Sequence, residues 1–163
     1  MIRYTRFATP LGVVFATTVG GALTGLYFEG GRHAPPVAPH WVEDPRAEPL
    51  VTVKQQLLEY LAGLRTRFDL VLAAQGTPFQ QRVWREIAAI PYGEVITYAE
   101  LARRAGAPGC ARAAGAATGR NPLSIIVPCH RVVGTNGALT GYAGGLERKS
   151  HLLDLEKQLS VAA

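Results

Sequence analysis

"TYAELARRAGAPGCARAAGAATGRN" occupies residues 97–121, and it reads as two short helices joined by a tight turn. Thr97 is an N-cap residue ahead of "YAELARRAG". "GAPG" at 106–109 supplies a four-residue turn, and "CARAAGAATGRN" predicts the second helix. A helix-turn-helix has this form, and so does an ordinary packed helical hairpin. From Ala111 to Gly119 every side chain is Ala, Gly or Thr except Arg112. So slim a helix lets its backbone come close to a neighbour. That neighbour is either another helix or a DNA minor groove, which is only about 6 Å wide.

Just downstream lies "SIIVPCHRVVG", 124–134, which sets Cys129 between a rigid proline and two basic residues. A thiol is nucleophilic as its thiolate, and neighbouring positive charge or a base raises that fraction. His130 and Arg131 are the right residue types for the task. Consecutive residues of an extended segment point to opposite faces, so direct Cys–His contact requires a bend at Pro128 or a bridging water. A third group must orient the histidine. On the predicted terminal helix "LERKSHLLDLEKQLS", Leu146, Leu152, Leu153, Leu155 and Leu159 share one side, and Glu156 falls inside their arc. A carboxylate on a buried face needs a partner. His130 is one candidate; the other reading makes Glu156 a rim residue paired with an Arg or Lys.

Between these stretches, Asn136-Gly137 within "GTNGALTGYAGG" is a hairpin turn signal. Upstream, "TPFQQRVWREIAAIPYGEV" predicts a helix with Thr77 as N-cap and Pro78 in the first turn. Phe79, Val83, Trp84, Ile87 and Ile90 form its apolar stripe, and Pro91-Tyr92-Gly93 ends it. The N-terminal half opens with three strand-like runs, "IRYTRFAT", "GVVFATTV" and "ALTGLYFE", which predict an antiparallel meander. A proline-rich connection over 30–49 follows, then a helix in "LVTVKQQLLEYLAGL" and a returning strand in "TRFDLVL". The expected fold class is α+β: an N-terminal αβ domain over 1–76 and a mostly helical C-terminal domain over 77–163.

The totals agree with this division. The chain has 163 residues, 48% hydrophobic and 18% charged, enough for one domain or two small ones with real cores. Net charge is +5, and from Pro78 onward there are ten Lys/Arg against six Asp/Glu, whereas residues 1–77 hold seven and six. Phosphate binding accounts for that basic excess, and ordinary solubilising charge does so equally well. The first twenty residues are broken by Arg3, Arg6, Pro10 and Gly12 and lack the apolar run of a signal peptide. No later segment is long enough to span a membrane, so a cytoplasmic location is expected. Two cysteines, Cys110 and Cys129, are too few for a disulfide framework. The scattered histidines and missing CxxC spacing give no metal site. Cys110 reads as a small packed hydrophobe.

"PCHRVVG" resembles the active-site motif of the O6-alkylguanine-DNA alkyltransferases, also called methylated-DNA–protein-cysteine methyltransferases. "TPFQQRVWREIAAIPYGEVITYAELA", "ARAAGAATGRNPLSIIVPCHRVVG" and "LTGYAGGLERKSHLLDLEK" follow in the order and spacing of that family. About half the chain is covered strongly, and the N-terminal half is similar only in outline. The resemblance implies a ribonuclease-H-like N-terminal domain and a helix-turn-helix, winged-helix-like C-terminal one. It implies that Cys129 takes the alkyl group from O6 of guanine irreversibly, once per molecule. O4-alkylthymine is a candidate second substrate. His130 would act as base through a water, with Glu156 holding its tautomer. Asn121 would brace the turn, and Tyr98 would hydrogen-bond or protonate the departing guanine. Arg112 would fill the stack vacated by a flipped base, with Ala111, Ala113, Thr118, Gly119 and Arg131 also on the DNA. Tyr142 would line the alkyl pocket, and backbone groups at Val132 and Ala143 would read the base edge.

Double-stranded DNA carrying O6-alkylguanine, bound through its minor groove, is the partner this implies. It also implies no cofactor, no membrane, a cytoplasmic, nucleoid-associated location and a monomer in solution, with clustering on DNA left open. Two features depart from the family pattern. Ala143 stands where some relatives carry serine, which removes a hydroxyl but keeps a backbone N–H. The N-terminal zinc ligands of some relatives are missing, so no metal is expected. Two other functions fit parts of the pattern. A non-catalytic sensor of alkylated DNA would share the fold but not need the thiol. A Cys-His-Glu thiol hydrolase would not need Arg112 or the slim helix.

Overall fold

The computed structural model of the chain describes residues 1–162 and divides into two compact units. One comprises Met1–Gln75 with Pro122–Ser124, the other Gly76–Asn121 with Ile125–Ala163.

In the first unit, β1 (Arg3–Thr9), β2 (Gly12–Val19) and β3 (Ala22–Phe28) form the antiparallel meander, with Phe7 opposite Val14 and Val14 opposite Phe28. The connection over 30–49 is not irregular throughout. It contributes β4 (Val42–Glu43), which runs parallel to β1 and gives the sheet order β3-β2-β1-β4. Val42 N–H donates to Ile2 O and Asp44 N–H to Tyr4 O, both at 2.9 Å. An uncovered β1 edge would leave those carbonyls without backbone partners. α1 (Leu50–Leu61) packs on β1 and β2, burying Leu50, Val53, Leu57 and Tyr60. Each such side chain contributes roughly 1.5–3 kcal/mol. The helix stops where Gly63 adopts φ 78° and Leu64 N–H turns back to Glu59 O at 2.8 Å.

"TRFDLVL" does not form the expected strand. Only Leu72 pairs, as an isolated bridge to Leu23. The Gln56 side chain bonds the backbone of Asp69 on both sides, accepting from its N–H at 2.9 Å and donating to its carbonyl at 3.1 Å. Those are groups a ladder would have used. Farther along β3, Leu26 N–H donates to Pro122 O and Ser124 N–H to Leu26 O.

In the second unit, α2 (Pro78–Ala88), α3 (Tyr98–Arg104) and α4 (Ala111–Gly119) pack together. α2 starts with a full capping box between Thr77 and Gln80 and buries Val83, Trp84 and Ile87, with Ile90 just beyond it. Phe79 is only half-buried. Thr97 Oγ1 accepts from Glu100 N–H to cap α3. The slim α4 buries Ala114, Ala117 and Thr118, and Trp84 Nε1 donates to Ala117 O at 2.8 Å. Arg112, Ala113 and Ala116 are exposed. Small side chains thus serve helix packing on one side of α4 and leave the other side thin and open.

β5 (Ile96–Thr97) pairs parallel to β6 (Val132–Val133). The Asn136-Gly137 turn forms, with φ of 59° and 78° and Gly134 N–H bonded to Ala138 O, but it closes no hairpin. β6 has its ladder partner in β5 instead. α5 (Leu146–Ala162) ends the chain. Among the described residues, no helix is long and apolar enough to cross a membrane.

Candidate active site

Pro128 answers why a proline precedes the thiol. Its φ of −79° and ψ of 66° make an inverse γ-turn, closed by Cys129 N–H on Val127 O at 2.7 Å. One 3-10 turn follows over Cys129–Arg131 and leads into β6. This double bend replaces the extended geometry that would have separated Cys129 from His130. Ahead of it, Ile125 sits at φ 70°, a strained conformation for a buried β-branched residue. Asn121, buried at the end of α4, donates its Nδ2 to Val127 O at 2.8 Å and hydrogen-bonds the Cys129 thiol.

The 3-10 turn puts His130 and Arg131 on one carboxylate. Glu156, 1% exposed, lies 2.9 Å from His130 Nε2 through Oε2, and accepts from Arg131 Nε at 2.7 Å and Nη2 at 2.8 Å. The His130 partner expected from sequence is present, and Arg131 shares the carboxylate, but Glu156 is buried and is not the rim residue of the alternative reading. A carboxylate held by a guanidinium accepts hydrogen bonds. Nε2 of His130 is then the donor, and Nδ1 is its basic nitrogen. Burial pushes the imidazole below its ordinary pKa, overriding the pull of Glu156 in the other direction. The site thus holds a neutral, oriented base.

Arg131 is not a surface group for DNA. It is 7% exposed, and besides Glu156 it bonds Ile90 O at 2.6 Å and lies over the Tyr92 ring. Nor does it supply positive charge to the thiol. The cation that does so is Lys149, a residue the sequence reading passed over. Its signal was available: Lys149, Leu152 and Glu156 fall three and four residues apart on one helical face. All three are buried, whereas Leu146, placed on that face by sequence, is exposed. Burial raises the Cys129 thiol above its ordinary pKa, and the Asn121 hydrogen bond and the Lys149 charge only partly offset this. The resting sulfur at neutral pH is a protonated thiol.

Other expected residues fall in three groups. Tyr98, Ala111 and Arg112 line a cavity of about 600 Å3 together with Gly134, Thr135 and Asn136. Tyr98 donates its hydroxyl to Thr140 O at 3.3 Å, and burial raises its pKa. Tyr142 stands edge-on to His130 at 6.5 Å, and Ala143 is half-buried beside it. Thr118 is not a DNA contact: it is buried, and its hydroxyl donates back to Ala114 O at 2.7 Å. Val132 is wholly buried, its N–H bonded to Cys129 O and its carbonyl accepting from Lys149 Nζ. Gly119 is half-buried, and Ala113 is exposed. Cys110 is exposed at the start of α4 rather than packed. The helix turns its small buried residues inward from Ala114 onward, so the N-cap position faces out.

Comparison with known proteins matches residues 78–158 to the DNA-binding domain of 6-O-methylguanine DNA methyltransferase. The methylated-DNA–protein-cysteine methyltransferase of Mycobacterium tuberculosis strain H37Rv is 47% identical over 162 residues, covering 99% of this chain and 96% of that one. The constitutive enzyme of the same name from Bacillus subtilis strain 168 is 43% identical over 167 residues, covering 96% of each chain. In three dimensions the chain superposes on Mycobacterium tuberculosis OGT in complex with DNA with a TM-score of 0.89 at 46% identity, covering 96% and 94% of the two chains.

Proposed function

The chain belongs to the methylated-DNA–protein-cysteine methyltransferase family, and from that premise we propose that Cys129 is the atom-accepting residue of its reaction. The protein repairs DNA by direct alkyl transfer, with DNA as its partner. The observation that supports the site assignment is a buried thiol at the start of the turn after Pro128, directly followed by a buried imidazole that Glu156 orients.

In the proposed reaction the Cys129 thiol gives its proton to His130 Nδ1 through a bridging water. The sulfur then attacks the alkyl carbon of O6-alkylguanine. An S–C bond forms, the C–O6 bond breaks, and its electron pair stays on guanine. Tyr98 meets that developing charge with its hydroxyl proton. The product is a thioether, which is no leaving group, so each molecule acts once. O6 is out of reach inside a stacked duplex, and extruding the nucleotide costs a few kcal/mol. Arg112, exposed and the one long side chain of α4, is suited to filling the gap. The thin outer face of α4, with Ala111 and Ala113, suits the minor groove. Gly119 lies farther along the same helix. The cavity beside Tyr98 and Arg112 is the place for the extruded base, with Tyr142 and Ala143 near the alkyl group. O4-alkylthymine would enter by the same route.

Residues 1–76 are read as a ribonuclease-H-like domain, on the support of the β3-β2-β1-β4 sheet and α1. Residues 77–163 are read as a winged-helix-like transfer domain, with α3 and α4 as its helix-turn-helix. A non-catalytic sensor would have no use for the thiol, and a hydrolase none for Arg112. The direct test uses a duplex with a labelled methyl group on O6 of guanine, followed by peptide mapping. Label is expected on the Cys129 peptide alone, with the exposed Cys110 as internal control. Label on Cys110, or none on protein, refutes the assignment.

A further inference from the structure

Trp84 is 5% exposed, and α2 buries it along with Val83 and Ile87. A buried indole needs an acceptor for its N–H. Nε1 finds one in Ala117 O at 2.8 Å, in the last turn of α4. The six-membered part of the ring rests on Gly76, where an added Cβ would collide with Cη2 and Cζ3 of the indole. Burial alone would be met by any large apolar ring. The N–H and the glycine seat are specific to tryptophan.

The carbonyl it reaches stands where α4 stops. In a continuing α-helix each carbonyl accepts from the N–H four residues on. Here Arg120 N–H donates to Ala117 O and Asn121 N–H to Thr118 O, both at 3.2 Å and both only three residues back, so the last turn tightens. Between Arg120 and the indole, both lone pairs of Ala117 O are in use. Asn121 comes directly after this turn and is itself buried. Its Nδ2 donates to Val127 O at 2.8 Å, and the same carbonyl accepts Cys129 N–H at 2.7 Å to close the bend at Pro128. A continuous run of hydrogen bonds thus leads from the indole through the end of α4 to the nucleophile turn.

We propose that Trp84 is a positioning residue of the transfer reaction: its indole N–H ends α4 at Ala117 and so sets the place from which Asn121 holds the turn at Cys129. The inference rests on the alkyl-transfer reading above and adds to it what fixes Asn121. Trp84 touches neither the thiol nor the DNA in this role. It acts through Asn121 alone, and its effect on the reaction should vanish when the Asn121 amide is gone.

A double-mutant cycle tests that dependence. Single-turnover methyl transfer from a saturating duplex is measured for the native protein, Trp84→Phe, Asn121→Ala and the double variant. Trp84→Phe keeps an aromatic ring and loses the donor. It should slow transfer about tenfold in the native background, in line with one lost buried hydrogen bond, and less than about twofold beside Asn121→Ala. Equal slowing in both backgrounds would mean that Trp84 acts only through general packing, and a native rate in Trp84→Phe would mean that the N–H has no role. Either result overturns the proposal. Should Trp84→Phe not fold, benzothienylalanine at position 84 keeps the two-ring shape and replaces the N–H with sulfur, and the same cycle applies with the same outcomes. If the native protein transferred no methyl group, the alkyl-transfer reading would fall, while hydrogen exchange would still report on Trp84. The Asn121 and Cys129 amides should then exchange about tenfold faster in Trp84→Phe relative to those of α2, and unchanged exchange would refute the placement.

Discussion

Glu156 receives three hydrogen bonds from two residues that are adjacent in sequence, one from His130 and two from Arg131. Because Arg131 occupies both carboxylate oxygens, Glu156 stays an acceptor, and the histidine tautomer follows from that. Glu156→Gln keeps the shape but removes the charge. It leaves a guanidinium buried without its counter-ion, which costs about 3–5 kcal/mol. The amide can also donate to His130 Nε2 and select the wrong tautomer, so transfer should slow about 100-fold or more. Urea denaturation and single-turnover assays of the same variant check the two effects. A rate equal to that of the native protein would remove Glu156 from the site.

α4 shows how one helix can satisfy two demands with one composition. Ala114, Ala117 and Thr118 let α2 and α3 pack close, and the face bearing Arg112 stays slim. On the proposed role, Arg112→Ala loses the side chain that fills the stack but leaves the thiol and its base intact. Transfer from duplex DNA should fall about 100-fold, in line with a few kcal/mol of unstacking, while transfer from the free O6-alkylguanine base should hardly change. Equal losses on both substrates would mean that Arg112 acts elsewhere. Helices were legible because local signals fixed them: Thr77 and Thr97 cap as their types suggest, and Gly63 stops α1. The His130–Glu156 pair was legible from helical spacing. What stayed hidden depended on partners distant in sequence. β4 forms only because β1 has an open edge, and the 66–72 strand is lost to the Gln56 side chain. Arg131 looked like a DNA contact because sequence shows charge but not burial.

For the molecule as a whole, the buried neutral imidazole sets a stability limit on the acid side. The folded His130 has a pKa below its ordinary 6.5, so below that pH the unfolded chain binds a proton that the folded one refuses. Stability must therefore fall as pH drops through 6.5, approaching about 1.4 kcal/mol per pH unit for this group. A second loss begins lower, where Glu100, held down to about 2 by Arg103 and Arg104, keeps its charge in the folded state alone. Urea denaturation at pH 7.5 and 5.5 isolates the first effect. Equal stabilities would mean that His130 titrates alike in the folded and unfolded chain, against a buried imidazole held neutral. The most direct measurement of the whole account is the stoichiometry of transfer. The native protein is mixed with a large excess of duplex bearing labelled O6-methylguanine and followed to completion. The account predicts a plateau at one methyl group per molecule, all of it on Cys129. Release of label beyond that plateau, or a plateau that survives Cys129→Ala, would contradict it.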